Sequence, residues 1–259
     1  MTERYDAEWM SGFDYDSLRA RDFALFCKAA SMDRAARVPT CPEWNVAELC
    51  DHLARVYQGR AYAIEHAAFK STDDFLNRAD RVDPINWVRD WSDSLDRALL
   101  NRADDAPTIT FMPEATTVHF WRRRMSLETL VHRIDVELAV GDATAMDVDL
   151  SADGVDELLW FGSAEPEIEQ ADGDHQTTVL ELINGERRWV ITLDESGLST
   201  TDSSAPRDAT VFGSAPALLL ALSGRDIEEI GVDRLGLEPP VVEGDPFAFD
   251  RLRGFLGAF

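Results

Sequence analysis

Glu128 and His132 stand four residues apart in the run Glu128-Thr129-Leu130-Val131-His132. On a helix this spacing stacks two side chains one turn apart on a single face. His52 lies far upstream in a second segment of helical periodicity, three residues beyond Leu49 and four before Val56, so it points inward with them. Two imidazoles and a carboxylate converging from two helices make a three-ligand divalent-metal site with one position left open, the requirement of a catalytic metal. The same residues allow a plainer arrangement, with Glu128 and His132 as a surface i,i+4 pair and His52 as a core histidine whose hydrogen bonds are satisfied.

A helical wheel places Glu128, His132 and Asp135 on one narrow face flanked by Trp121 and Met125, beside an apolar stripe of Leu127, Val131, Ile134 and Leu138. Asp135 either orients His132 as an acceptor behind the ligand or pairs with Arg124 or Arg133 on the helix surface. The run Arg122-Arg123-Arg124 reads as a solvated face, or as the source of one arginine for an anionic ligand. His66, His119 and His175 have no partner at ligand spacing and read as structural. Glycine-rich phosphate loops and the G-x-S-x-G elbow are absent, and no thiol lies at a spacing that suggests a cysteine nucleophile.

The first half of the chain must supply the helices that hold these groups. The spacing predicts a helix from about 14 to 31, stopped by Val38-Pro39-Thr40-Cys41-Pro42. A second helix opens at Asn45, with Glu48 placed to complete a capping box, and carries Val46, Leu49, Leu53, Val56 and Tyr57 inward. Residues 70 to 83 read as a loop, and Pro84 starts a third helix through Trp87, Val88, Trp91, Leu95 and Leu99. A link over 102 to 116 has room for a short strand at Thr108 to Met112, before a fourth helix from about 117 to 140 that ends at Gly141. Four helices with a long second and fourth suggest a four-helix bundle, whose interior suits a metal site.

Beyond residue 145 the pattern changes. Asp153 to Phe161 reads as one helix. Thr177 to Ile183 and Trp189 to Leu193 alternate with period two around Asn184-Gly185, a hairpin with a connection longer than two residues. Leu198 to Thr201 and Ala209 to Phe212 read as strands, Ser214 to Leu222 as an apolar helix closed by Gly224, and Pro246 to Leu256 as a last helix. The expected architecture is therefore α+β in two domains, 1–145 and 146–259.

The 259 residues carry 45% hydrophobic side chains and seven tryptophans, a globular composition. A net charge of −24 argues against nucleic acid or an anionic membrane as partner, and means that any anionic substrate needs local arginine or metal charge. Cys27, Cys41 and Cys50 fit no zinc-finger spacing and read as reduced thiols of a cytoplasmic protein. The opening MTERYDAEWM lacks an apolar segment typical of a leader, and no apolar run is long enough to span a membrane. The expected state is a monomer or weak homodimer.

Cys41-Pro42-Glu43-Trp44-Asn45-Val46-Ala47-Glu48-Leu49-Cys50-Asp51-His52-Leu53 resembles the CP-x-W-x-V-x-x-L-x-x-HL opening of the mycothiol-dependent maleylpyruvate isomerase family. Trp121-Arg122-Arg123-Arg124-Met125 through Glu128, His132, Arg133, Asp135 and Glu137 is similar to that family's second signature. The resemblance implies a DinB-like four-helix bundle whose metal, usually zinc, is held by His52, Glu128 and His132. Thr210 to Arg225, TVFGSAPALLLALSGR, is similar to part of the family's sterol-carrier-like α/β C-terminal domain. The family's isomerase uses a C-terminal arginine, for which Arg225 is the first candidate and Arg234 the rival.

The function implied is a zinc-dependent enzyme that uses mycothiol, a low-molecular-weight thiol, on a small electrophile. Isomerisation would add the thiol to a cis double bond, allow rotation and eliminate it, whereas transfer would release the adduct. Bound zinc lowers the pKa of a coordinating thiol, and both outcomes need the same ligands. Two other readings remain open: a non-catalytic protein binding a metal or small ligand, and a metal–water hydrolase, for which Asp135 is the candidate general base.

Overall fold

The computed structural model describes residues 12–164, 177–200 and 206–256. His175, Thr201 and the opening ten residues lie outside them. The described residues hold helices and one five-stranded mixed sheet, an α+β protein. The chain divides into two compact units, residues 1–38 with 43–140, and residues 39–42 with 141–259. Among the described residues, no helix is long and apolar enough to cross a membrane.

The first unit holds α1 (Tyr15–Ala30), α2 (Val46–His66), α3 (Pro84–Leu100) and α4 (Val118–Val140). The local signals for α2 act as read. Asn45 accepts from the Glu48 amide, and Glu48 accepts from the Asn45 amide, so two orphan donors are satisfied reciprocally. Asp83 caps α3 through the Ile85 and Asn86 amides, ahead of Pro84 in the first turn. Helix α4 packs on α1 and α2, α2 packs on α3, and α1 also meets α2. Residues 102–116 hold no strand at Thr108 to Met112; an isolated bridge pairs Pro107 with Thr117 instead. Thr108 Oγ1 donates to the Ala63 carbonyl and Trp121 Nε1 to that of Ile109, so this link is tied to α2 and α4 by side chains.

Helix α4 departs from the two-sided pattern read from its sequence. It is buried on most of its circumference, including Arg123, Arg133, Asp135 and Glu137. The arginine run is accordingly no solvated face. Arg122 pairs with Asp16 and Asp104, Arg123 is 1% exposed, and Arg124 pairs with Glu128. Arg133 meets Asp22 at 3.2 Å and Glu137 at 3.1 Å, so its burial is compensated by two carboxylates.

The second unit begins with α5 (Val148–Ala164), longer at both ends than its apolar stretch suggested. Its sheet holds β1 (Thr178–Asn184), β2 (Arg187–Asp194), β3 (Gly197–Thr200), β4 (Ala209–Phe212) and β5 (Val241–Gly244), in the order β3-β2-β1-β4-β5. Strands β1 and β4 are parallel, and the other pairs antiparallel. The hairpin is tighter than read: Asn184 pairs with Arg187, leaving Gly185 and Glu186 as the loop. Gly185 has φ +60°, a conformation that glycine adopts without steric cost. Between β4 and β5 lie α6 (Ala215–Leu222) and two single turns, α7 (Ile227–Ile230) and α8 (Val232–Leu235); α9 (Pro246–Leu256) follows β5. Leu180, Leu182, Ile191 and Val211 put their side chains into a core shared with α6 and α9, which β5 helps to close.

Candidate metal centre

His52 comes from the second turn of α2, and Glu128 and His132 from successive turns of α4. The crossing of these helices brings together the groups named from their spacing. Glu128 Oε1 lies 3.3 Å from His132 Nε2 and 3.6 Å from His52 Nε2. One ligand atom from each of the three residues lies within 4.8 Å of the others. Tetrahedral coordination with bonds of about 2.0–2.1 Å sets neighbouring ligand atoms about 3.3 Å apart. Two of the three separations are already near that value, so the donor set fits a tetrahedral dication such as zinc. Glu128 and His52 keep partial solvent access, whereas His132 is buried.

Each of the three side chains is held from behind. His132 Nδ1 meets Asp135 Oδ2 at 2.8 Å, which aims Nε2 at Glu128. Asp135 is fully buried, so it does not lie on an exposed helix surface. Arg124 occupies Oε2 of Glu128 and leaves Oε1 toward the histidines. Trp44 packs on His52 with ring centroids 4.8 Å apart, and the two imidazoles meet edge to face at 4.9 Å. Below them Tyr57 Oη and Thr129 Oγ1 share a buried hydrogen bond of 2.6 Å that ties α2 to α4.

The charges are coupled. Burial works against ionisation of Glu128, yet Arg124 and hydrogen bonds from His132 and His52 hold its carboxyl well below the usual range. Burial likewise disfavours a charged His132, but its bonds to Asp135 and Glu128 outweigh this and raise its pKa to about 9. Cys50 takes no part: it is fully buried, and desolvation pushes its thiol up to about 12. Sequence reasoning missed Trp44 as the ring behind His52, although it stands inside the quoted motif. Arg124 was read as part of the arginine run and as a partner for Asp135, although its i,i+4 spacing to Glu128 was there to be read.

Of the remaining candidates, His66 packs against Tyr62 with tilted rings whose centroids are 4.3 Å apart, and His119 meets Asp104 at 3.6 Å. Arg225 follows α6 in the second unit, where its amide donates to the Leu220 carbonyl. Arg234, also in that unit, donates from its side chain to the Gly141 carbonyl.

Among solved structures the chain is similar to the crystal structure of the mycothiol-dependent maleylpyruvate isomerase, at 12% identity and a TM-score of 0.58, covering 84% of this chain and 92% of that one. A histidine-to-alanine mutant of that isomerase gives the same values. At this identity the likeness concerns the fold. No curated protein sequence matches significantly. Residues 18–137 match the family described as the mycothiol maleylpyruvate isomerase N-terminal domain, a span that contains His52, Glu128, His132 and Asp135. The likeness to this family is carried by residues 18–137, which apart from residues 39–42 lie within the first compact unit.

Proposed function

We propose that the protein is a zinc-dependent enzyme that uses mycothiol to isomerise, or transfer the thiol to, a small electrophilic substrate. The observation that carries this reading is the convergence of His52, Glu128 and His132, with two of their three ligand-atom separations near tetrahedral spacing. The first unit is, in this reading, a DinB-like four-helix bundle, and the second a sterol-carrier-like α/β domain. His52, Glu128 and His132 would hold the metal, which when bound makes a coordinating thiol acidic enough to ionise at neutral pH. Asp135 positions His132 and fixes which ring nitrogen faces the ligand set. Arg124 keeps Glu128 ionised. Arg225 is the proposed catalytic arginine of the second unit, by the resemblance of residues 210–225.

The hydrolase alternative is weaker, because Asp135, its only candidate base, is fully buried and engaged with His132. Metal analysis of the purified protein, with His52→Ala and His132→Ala, tests the site: one zinc per chain is expected in the wild type and loss in both variants. Thermal-shift titration with mycothiol then tests the thiol. Mass action requires ligand to raise the melting temperature of the zinc-loaded protein only. Absence of that shift would remove mycothiol from the mechanism.

A further inference from the structure

Arg60 lies two turns beyond His52 on α2, and nothing in the proposed metal chemistry employs it. Its guanidinium stands 4.9 Å from the Trp121 ring centroid and 5.9 Å from that of Phe111. These aromatic contacts leave the N–H groups in the guanidinium plane unused. Among the described residues no acceptor meets Arg60, and its Nε is shut off from solvent without a partner. The residue as a whole is only half-buried.

Its neighbours are differently served. Arg19 donates to Ser92 and Asp96, Arg78 grips Asp51 with two nitrogens, Arg122 meets Asp16 and Asp104, and Arg124 holds Glu128. With 49 acidic residues against 25 basic ones, an arginine left without a carboxylate is unexpected on compositional grounds. It also lies within electrostatic reach of the metal-ligand cluster: burial disfavours its charge, Glu128 favours it and Arg124 opposes it. Once a dication engages Glu128, Arg60 and Arg124 leave this locality positive inside an acidic protein.

We propose that Arg60 is a positioning residue that receives a carboxylate of the substrate end-on through its two terminal nitrogens. The substrate role rests on the metal–thiol reading above, whereas the carboxylate site stands without it. A guanidinium fork matches a carboxylate in two parallel bonds, and the rings under Arg60 hold that fork in place before the ligand arrives.

The probes are succinate and succinamide, which share a skeleton, differ in charge and do not react with thiols. Each is titrated by calorimetry into zinc-loaded and chelator-treated protein, as wild type, Arg60→Gln and Arg60→Lys. Wild type should prefer succinate with or without metal. Arg60→Gln should weaken succinate by about tenfold or more while leaving succinamide unchanged, and Arg60→Lys should fall between. In wild-type protein the Arg60 side-chain N–H resonances should move with succinate and stay put with succinamide, a reading that needs no variant to fold. The proposal is overturned by undetectable succinate binding, by equal binding of both probes, by unchanged affinity in Arg60→Gln, or by a preference that vanishes on chelation. Failure to load zinc with the succinate preference intact would remove the metal reading and leave this one standing.

Discussion

Proton competition at His132 gives the sharpest test of the metal centre. In metal-free protein its pKa of about 9 reflects acceptors on both sides, Asp135 on Nδ1 and Glu128 facing Nε2. A metal must displace the proton on Nε2. Between pH 9 and pH 7 the fraction of protein offering a free nitrogen falls about a hundredfold, so apparent metal affinity at neutral pH is reduced by about 2.7 kcal/mol. Chelator competition with zinc should show affinity rising about tenfold per pH unit from 7 toward 9 and then flattening. Calorimetry in two buffers of different ionisation enthalpy should show about one proton released per zinc at pH 7, and progressively less above pH 9. Asp135→Asn removes one of the two charges that raise the pKa. The slope should then flatten at lower pH, while affinity at high pH drops about 10–100-fold through lost orientation of the ring. Affinity independent of pH between 7 and 9, with no proton released, would refute the coupling.

The same raised pKa makes metal-free stability depend on pH. The folded value lies above the ordinary 6.5, so the contribution is complete below 6.5 and is lost as pH rises through 9; denaturation curves should show a loss of up to about 3 kcal/mol. Asn45→Ala breaks the capping box of the helix that carries His52 and should cost about 1 kcal/mol, read as a melting temperature lower by roughly 2–4 °C. Tyr57→Phe removes the buried bond to Thr129 and should cost about 1–2 kcal/mol, measured by urea denaturation. Gly244→Ala places a Cβ 2.3 Å from the Asp208 carbonyl at a φ of +103°. That change should destabilise the second unit by about 3 kcal/mol or more and be visible as an earlier calorimetric transition.

The parts of the fold legible in the sequence were those fixed by neighbours along the chain. The Asn45–Glu48 box, Pro84 at a helix start and the four-residue step from Glu128 to His132 depend on local geometry alone, and each appears in the structure. Residues whose fate depends on distant partners were harder to place. Arg122 looks solvated in sequence but meets Asp16, 106 positions away, and Arg133 is buried because Asp22 reaches it from α1. Strand β5 is four residues long and owes its pairing to β4, about thirty positions upstream, so no period-two run announces it. Arg60 sat within a plain helical stretch, and its lack of an acceptor is visible only in three dimensions.

Among the described residues the sheet places its longest strands, β1 and β2, inside, and ends on four-residue strands at both margins. Margins this short offer few open amide and carbonyl groups for another chain to extend, a protection against edge-to-edge polymerisation. The acidic surface adds mutual repulsion between copies. Concentrated stocks should therefore resist fibril growth at low ionic strength, and salt should erode only the electrostatic part of that resistance.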